Sequence, residues 1–309
     1  MVTTSITVAI GRPAPRLAPP TVLADASSID CARRRRQPRC RRAGSSTVLS
    51  VVTTQPRGGR LDGVRAVVTG ASSGIGAAIA ESFGGTGATV LVTHRDSAEG
   101  ASAVAERIVQ AGGRAELAQA DLGTRAGCEA LVAEARERLG GLDVWVNNAG
   151  ADVLTGEAAE WEWERKLDLL LAVDLKGTIA CSYAAGAVMR EQPGGGTILN
   201  MSWDHVAAGM AGENPELFSA VKGGVLSFSK SLARGLAPRV RVNVLCPGWI
   251  ETRFAREADR DFHRSVAEAT PLARWGRPED VAAAALWLAS PEAAFITGQA
   301  VNINGGVVM

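Results

Sequence analysis

Hydrophobic and polar positions alternate in two patterns from about residue 61 onward. Short, β-branched apolar runs read as strands covered on both faces: 64–69, 88–93, 114–120, 142–146, 197–201, 240–245 and 300–303. Between them lie stretches with helical spacing. One starts at Ala77, and Ala98–Ala111 and Thr124–Leu139 each end at a Gly-Gly pair. Trp161–Met189 predicts a long helix with room for one break, and Leu217–Leu236 and Pro278–Ser290 predict two more. Strands alternating with helices predict parallel βαβ units: an α/β fold with a doubly wound sheet, ligands binding at the carboxyl ends of the strands. No internal repeat appears beyond this alternation.

Val64–Gly76 is the stretch around which the rest is arranged. A buried strand runs into Thr69-Gly70-Ala71-Ser72-Ser73-Gly74-Ile75-Gly76, and a helix follows directly. Glycines let the backbone turn tightly and approach a pyrophosphate. The helix N-terminus then offers free N–H donors and a partial positive charge to the anion.

Composition changes the picture at the N-terminus. The formal net charge of +1 hides an asymmetry: residues 1–60 hold eleven Arg, no Lys and two acids, hence +9, which leaves −8 on the remainder. The folded part is therefore mildly acidic and is not expected to bind nucleic acid. Residues 1–60 mix Pro, Ser, Thr and Arg, with a basic block at Arg33–Arg42, and lack periodicity. They are expected to be disordered. Three readings stay open for them: an organelle transit peptide, a patch for an anionic surface or nucleic acid, or an extension without function ahead of a single domain at 61–309. Cys31, Cys40, Cys128, Cys181 and Cys246 are odd in number and have no metal-ligand spacing. The last three read as packed thiols in a reducing, cytoplasmic setting, and no metal site is expected. No apolar run is expected to reach the length of a membrane span.

The glycine stretch resembles the signature of the short-chain dehydrogenase/reductase family, Thr-Gly-x-x-x-Gly-x-Gly, complete here from Thr69 to Gly76. The resemblance runs from about Leu61 to the end and implies a Rossmann-like domain that binds a nicotinamide dinucleotide. Asn147-Asn148-Ala149-Gly150 follows the fourth strand and matches the family without a change. Asp121-Leu122, after the third strand, matches the adenine-contacting acid, although a cap for the helix at Thr124 is an equal reading. Pro247-Gly248-Trp249-Ile250-Glu251-Thr252 matches the segment at the nicotinamide end. The closing Asn302–Gly306 is close to the terminal segment, with Asn304 where an acid is more usual. After the second strand stands Arg95, not an acid, which favours NADP(H) over NAD(H) through a guanidinium that can clasp a 2′-phosphate.

The catalytic side departs from the family. A carbonyl oxygen gaining negative charge needs a proton donor, which the family supplies from a tyrosine four residues before a lysine. Lys222 is present, but Phe218 takes the tyrosine position. Asp174 stands at the position of the family's asparagine. The serine position is ambiguous: Ser202 lies sixteen residues before Phe218, and an ungapped count reaches His205. Two readings follow. An oxidoreductase with a rebuilt proton path would use His205, Asp204 or Asp174. A dinucleotide-binding sensor or partner subunit would have lost the chemistry. Tyr183, the chain's single tyrosine, reads as a packed aromatic. Trp249, Phe254, Phe262 and Trp275 either line an apolar substrate pocket or pack together. The family commonly forms dimers and tetramers, and the dense apolar content of Trp161–Met189 leads us to expect a homodimer or homotetramer acting on a small molecule.

Overall fold

The computed structural model describes residues 60–212 and 215–309. The expectation of disorder over residues 1–60 thus falls, Arg60 apart, outside the described residues.

Seven parallel strands form one sheet: β1 (Arg65–Val68), β2 (Thr89–His94), β3 (Arg114–Gln119), β4 (Val144–Asn147), β5 (Gly196–Met201), β6 (Val240–Pro247) and β7 (Ala300–Ile303). Their order is β3-β2-β1-β4-β5-β6-β7, so the sheet is doubly wound and Rossmann-like, as expected. The helices are α1 (Gly74–Gly84), α2 (Ala98–Gln110), α3 (Arg125–Leu139), α4 (Trp163–Leu170), α5 (Thr178–Glu191), α6 (Pro215–Leu236), α7 (Arg253–Glu257), α8 (Arg260–Ala269) and α9 (Pro278–Ala289).

Alternate strand residues serve opposite layers, as the pleat requires. Ala66 and Val68 pack under α1, α2 and α9 with Ile79, Phe83, Ile108 and Leu288. Val67 packs on the other face with Leu131, Trp145, Met189 and Leu232. Both faces are covered, which is why these strands read as continuous apolar runs. The chain leaves β1 for β2 on one side and returns to β4 on the other, so the ends of β1 and β4 flank the crevice where strand order reverses. The N–H of Thr69 donates to the carbonyl of Val146 across that point.

The long helix differs from a simple bend. Residues Leu171–Gly177 form a π-helical segment between α4 and α5. Gly177 explains part of it: a Cβ there would lie 2.6 Å from the carbonyl of Leu122, so the helix backbone runs against the loop after β3. The combined run Trp163–Glu191 is long and apolar enough to cross a membrane by length and composition, which the sequence reading missed. Within the fold, Leu170, Cys181, Ala185 and Met189 from this run are fully buried. Tyr183 also departs from expectation: it is 61% exposed, with only an edge against Phe228 at 5.5 Å. Cys128, Cys181 and Cys246 are free and buried, as read.

Candidate active site

The glycine turn is locked from behind by side chains of the next motif. Thr69 Oγ1 accepts from the N–H groups of Asn148 (2.9 Å) and Ala149 (3.0 Å), and donates to the Val146 carbonyl. Asn148 Nδ2 donates to the carbonyls of Thr69 and Gly70 at 3.0 and 3.1 Å. The fit leaves no room for side chains. A Cβ on Gly76 would lie 2.4 Å from Asn148 Nδ2, and one on Gly70, whose φ is +60°, would lie 2.8 Å from Ala149 Cα. Ser73 is the N-cap of α1 but makes no side-chain cap, and the first turn carries no acid. The N–H groups of that turn therefore stay available to an anion. Ser72 is half-buried and Ile75 packs against the core of the α1 layer.

Asn147 is wholly committed inside the protein. Its amide donates to Ser182 Oγ and Asn200 Oδ1 at 2.9 and 2.8 Å, and accepts from Trp145 Nε1. At the end of β2, the Arg95 guanidinium is more than half exposed and pairs with Asp96 at 2.6 Å. Beside it, His94 is buried and its Nδ1 has no hydrogen-bond partner. Sequence reasoning passed over His94; its signal was a polar residue ending a strand covered on both faces. Asp121 turns its own loop, accepting from Gly123 N at 2.9 Å, while Thr124 caps α3. Leu122 is buried beside it. The segment after β6 closes over the glycine turn: the Thr252 methyl lies 3.6 Å from where a Gly74 Cβ would stand. Pro247 ends β6, the Gly248 N–H donates to the Ile303 carbonyl, and Ile250 is buried, bridging to Gly276. A glycine cradle, an uncapped helix start and an unpartnered buried ring nitrogen at the strand ends fit a dinucleotide.

On the catalytic side, Lys222 Nζ sits 2.7 Å from Asp174 Oδ2, with only 10% and 2% of the two side chains exposed. The other oxygen of Asp174 accepts from Ala151 N at 2.8 Å. The π-helical segment thus ties the loop after β4 to α6 through one carboxylate. Phe218 packs on the same layer, against Val153, Leu170 and Val221. Ser202 is not free: its hydroxyl donates to the Lys222 carbonyl at 2.9 Å. Cys246 lies near Ser202 and Asp204, and burial pushes its thiol up to about 11.

Asp204 and His205 form a pair in a 3-10 turn, Asp204–Val206. His205 Nδ1 lies 2.8 Å from Asp204 Oδ1. Beside an ionised carboxylate, which only accepts, this geometry calls for the ring proton on Nδ1. Nε2 has no protein partner among the described residues. The Asp204 side chain is fully buried. Trp203 lies 5.1 Å from the His205 ring and 6.3 Å from Phe218, so the turn runs along the Phe218 end of α6.

The four aromatic residues of the covering segment pack on one another. Trp249 lies 6.0, 5.4 and 5.7 Å from Phe254, Phe262 and Trp275, and Trp275 is buried. They form a small core of their own, with Trp249, Phe254 and Phe262 only partly buried. Arg253 on α7 is ion-paired with Asp152, clasping this segment to the loop after β4. A cavity of about 640 Å³ opens elsewhere, between α3 and α5, lined by Leu122, Lys176 and Tyr183 among others.

A doubly wound sheet whose switch point carries an uncapped helix start and a glycine cradle defines a dinucleotide-binding domain. Comparison with known proteins agrees. A family model described as enoyl-(acyl carrier protein) reductase matches residues 70–308. The chain is 37% identical over 263 residues to 3beta-hydroxysteroid dehydrogenase 1 of Eggerthella lenta, covering 81% of this chain and 95% of that protein. It is 37% identical over 248 residues to 3-oxoacyl-[acyl-carrier-protein] reductase of Synechocystis, covering 79% and 96%. Among solved structures it is similar to a short-chain dehydrogenase from Burkholderia cenocepacia in complex with NADP, at 34% identity and TM-score 0.72, covering 80% and 99%. A 7 alpha-hydroxysteroid dehydrogenase with NADH and 7-oxo glycochenodeoxycholic acid gives 30% identity and TM-score 0.73, covering 80% and 95%. The chain belongs to the short-chain dehydrogenase/reductase family, and is an NAD(P)-dependent oxidoreductase acting on hydroxyl and carbonyl groups.

Proposed function

We propose that the protein transfers hydride between NADP(H) and a carbonyl or hydroxyl carbon of a small apolar substrate, with His205 carrying the proton. The observation that supports this most is the Asp204–His205 pair at the carboxyl end of β5. Phe218 keeps an aromatic wall but has no proton to give. Ser202 is spent on the backbone of α6.

The bound nicotinamide supplies or accepts the hydride. The chain's own residues do the rest. Gly70, Gly74, Gly76 and the first turn of α1 cradle the pyrophosphate. Thr69 and Asn148 hold that cradle in shape, and Ala149, Gly150 and Thr252 flank it. Arg95, paired with Asp96 here, would hold a 2′-phosphate with its fork of donors, which would favour NADP(H) over NAD(H). Asp204 fixes the imidazole in the Nδ1–H tautomer, so Nε2 faces the reacting oxygen. As a base, Nε2 takes the hydroxyl proton in oxidation; as imidazolium, it gives a proton to the oxygen in reduction. Asp174 holds the Lys222 ammonium. Trp203 and Phe218 favour an apolar substrate. The half-exposed outer side of Trp163–Glu191, with Tyr183, suits pairing with a second copy in a homodimer or homotetramer.

The test is consumption of NADPH and NADH across a panel of carbonyl compounds, and the reverse with alcohols. His205→Ala is expected to lower kcat/KM by roughly 10²–10⁴ while NADPH still binds by fluorescence titration. Full turnover by His205→Ala refutes the proton path. Absence of turnover in the wild type with intact NADPH binding favours the second reading, a dinucleotide-binding partner subunit. The neutralisation of Lys222 by Asp174 is the observation that favours it.

A further inference from the structure

The reading of His205 as the proton-carrying group leaves one question open: what holds Asp204. The carboxylate is fully buried, and its two oxygens have separate partners. Oδ1 accepts from His205; Oδ2 accepts from Asn304 Nδ2 at 3.1 Å, from a residue 100 positions away. A buried carboxylate with one oxygen unmet would turn about its side-chain axis or take up a proton.

Asn304 is itself fixed on every side. Its Nδ2 also donates to the Val308 carbonyl at 2.9 Å, and its Oδ1 accepts from Gly306 N at 3.0 Å. The turn that follows has left-handed backbone at Gly305 and Gly306, with φ of +63° and +90°. The Gly305 carbonyl accepts from Leu272 N at 3.2 Å, which ties the turn to the chain leaving α8. Gly248 makes the approach possible. A Cβ there would lie 2.7 Å from Asn304 Cβ and 3.0 Å from Asp204 Oδ2. An amide is the group this place needs. A carboxylate at residue 304 would face Asp204 at the same 3.1 Å with like charge and no proton to share at neutral pH without one of the two being neutralised.

We propose that the C-terminal turn Asn304–Gly306 is a positioning element for the Asp204–His205 pair, acting through the Asn304 amide on the oxygen that His205 does not use. The asparagine at residue 304 and the aspartate at residue 204 then act as one unit. Asn304 acts through its neighbour: it sets the rotamer of Asp204, and Asp204 sets the tautomer of His205.

Nitrogen NMR of the imidazole tests this directly, because it reports which ring nitrogen holds the proton. The wild type should show His205 as a single Nδ1–H tautomer. Asn304→Leu should show both tautomers, with kcat lowered roughly tenfold and the Kd for NADPH unchanged within about twofold. Asn304→Ser, whose shorter side chain cannot reach the Asp204 Oδ2 that Asn304 Nδ2 meets at 3.1 Å, should mix the tautomers in the same way, and decides the matter if Asn304→Leu does not fold. In an Asp204→Asn background, Asn304→Leu should lower kcat no further. A single unchanged tautomer in either variant overturns the proposal. Retention of turnover by His205→Ala overturns the proton path instead, and leaves the tautomer result to judge Asn304 alone.

Discussion

Asp174→Asn probes the buried pair on which the site's electrostatics turn. The wild-type carboxylate serves two donors, the Lys222 ammonium at 2.7 Å and the Ala151 N–H at 2.8 Å. The amide has one acceptor oxygen, so in this geometry it can serve one of the two. Its NH₂ turns a donor toward the other. Leaving a buried donor unmet costs about 1–3 kcal/mol. The ammonium also loses its counter-charge while remaining 10% exposed. Breaking a buried pair from one side typically costs about 3–5 kcal/mol. The small exposure of Lys222 and the retained amide oxygen place the expected loss near the lower figure, about 3 kcal/mol. Urea unfolding at fixed protein concentration measures it, with equal m values as the check that only stability moved. Lys222→Met should also destabilise. The double variant should recover most of the combined loss, because no uncompensated charge is left inside. Additive losses, with a coupling below about 0.5 kcal/mol, would refute the reasoning, since independent sites add to within that error.

Gly76→Ala should cost roughly 1–3 kcal/mol and abolish NADPH binding, because its Cβ would sit 2.4 Å from Asn148 Nδ2; fluorescence titration and thermal melting check both. Arg95→Gln should lower the ratio of kcat/KM for NADPH over NADH by roughly ten- to a hundredfold, the worth of a charge-assisted hydrogen bond of about 1.5–3 kcal/mol. Burial pushes the Asp152 carboxyl up, but the Thr155 hydroxyl, Arg253 and two backbone N–H groups pull it further down, to a net value below the ordinary carboxylate range. The clasp to Arg253 thus contributes stability above the ordinary pKa of about 4 and loses it as pH falls through the lower, folded value; proteolytic cleavage within residues 252–270 should accelerate over that interval, and Arg253→Ala should flatten the response.

The sheet was legible because its strands are covered on both faces, so Ala66, Val67 and Val68 leave an apolar run with no polar interruption. The cofactor crevice was legible because its requirements are local: a tight turn, a close approach, a helix start. Long-range geometry was not. Leu171–Gly177 contains no proline and reads as ordinary helix; contact of Gly177 with the loop after β3 and the reach of Asp174 to α6 accompany its π-helical form. Tyr183 reads as packed in the sequence because helical spacing does not say which side of α5 the fold leaves bare. Ser202 has the right chemistry and nearly the right count, yet its hydroxyl is held by a carbonyl twenty residues on. The contact between Asn304 and Asp204 joins a strand end to the C-terminus, and no local pattern encodes it.

The departures at residues 174 and 218 both bear on Lys222, and Phe218→Tyr exposes their coupling. A phenol at this position, one turn before Lys222 on the same helix, would act as an acid if the ammonium lowered its pKa. Here the charge of that ammonium is already met by Asp174 at 2.7 Å. The new phenol should therefore stay near its ordinary pKa of about 10, too weak an acid to replace an imidazolium efficiently at neutral pH. Carbonyl reduction by Phe218→Tyr is expected to change by less than about tenfold, against the 10²–10⁴ that a well-tuned general acid supplies. Adding Asp174→Asn should release Lys222 toward the phenol and raise the rate above that of either single variant. Initial rates of NADPH oxidation measure both steps. A gain of about a hundredfold or more in Phe218→Tyr alone would mean that Lys222 is not neutralised and that the proton path through His205 is dispensable.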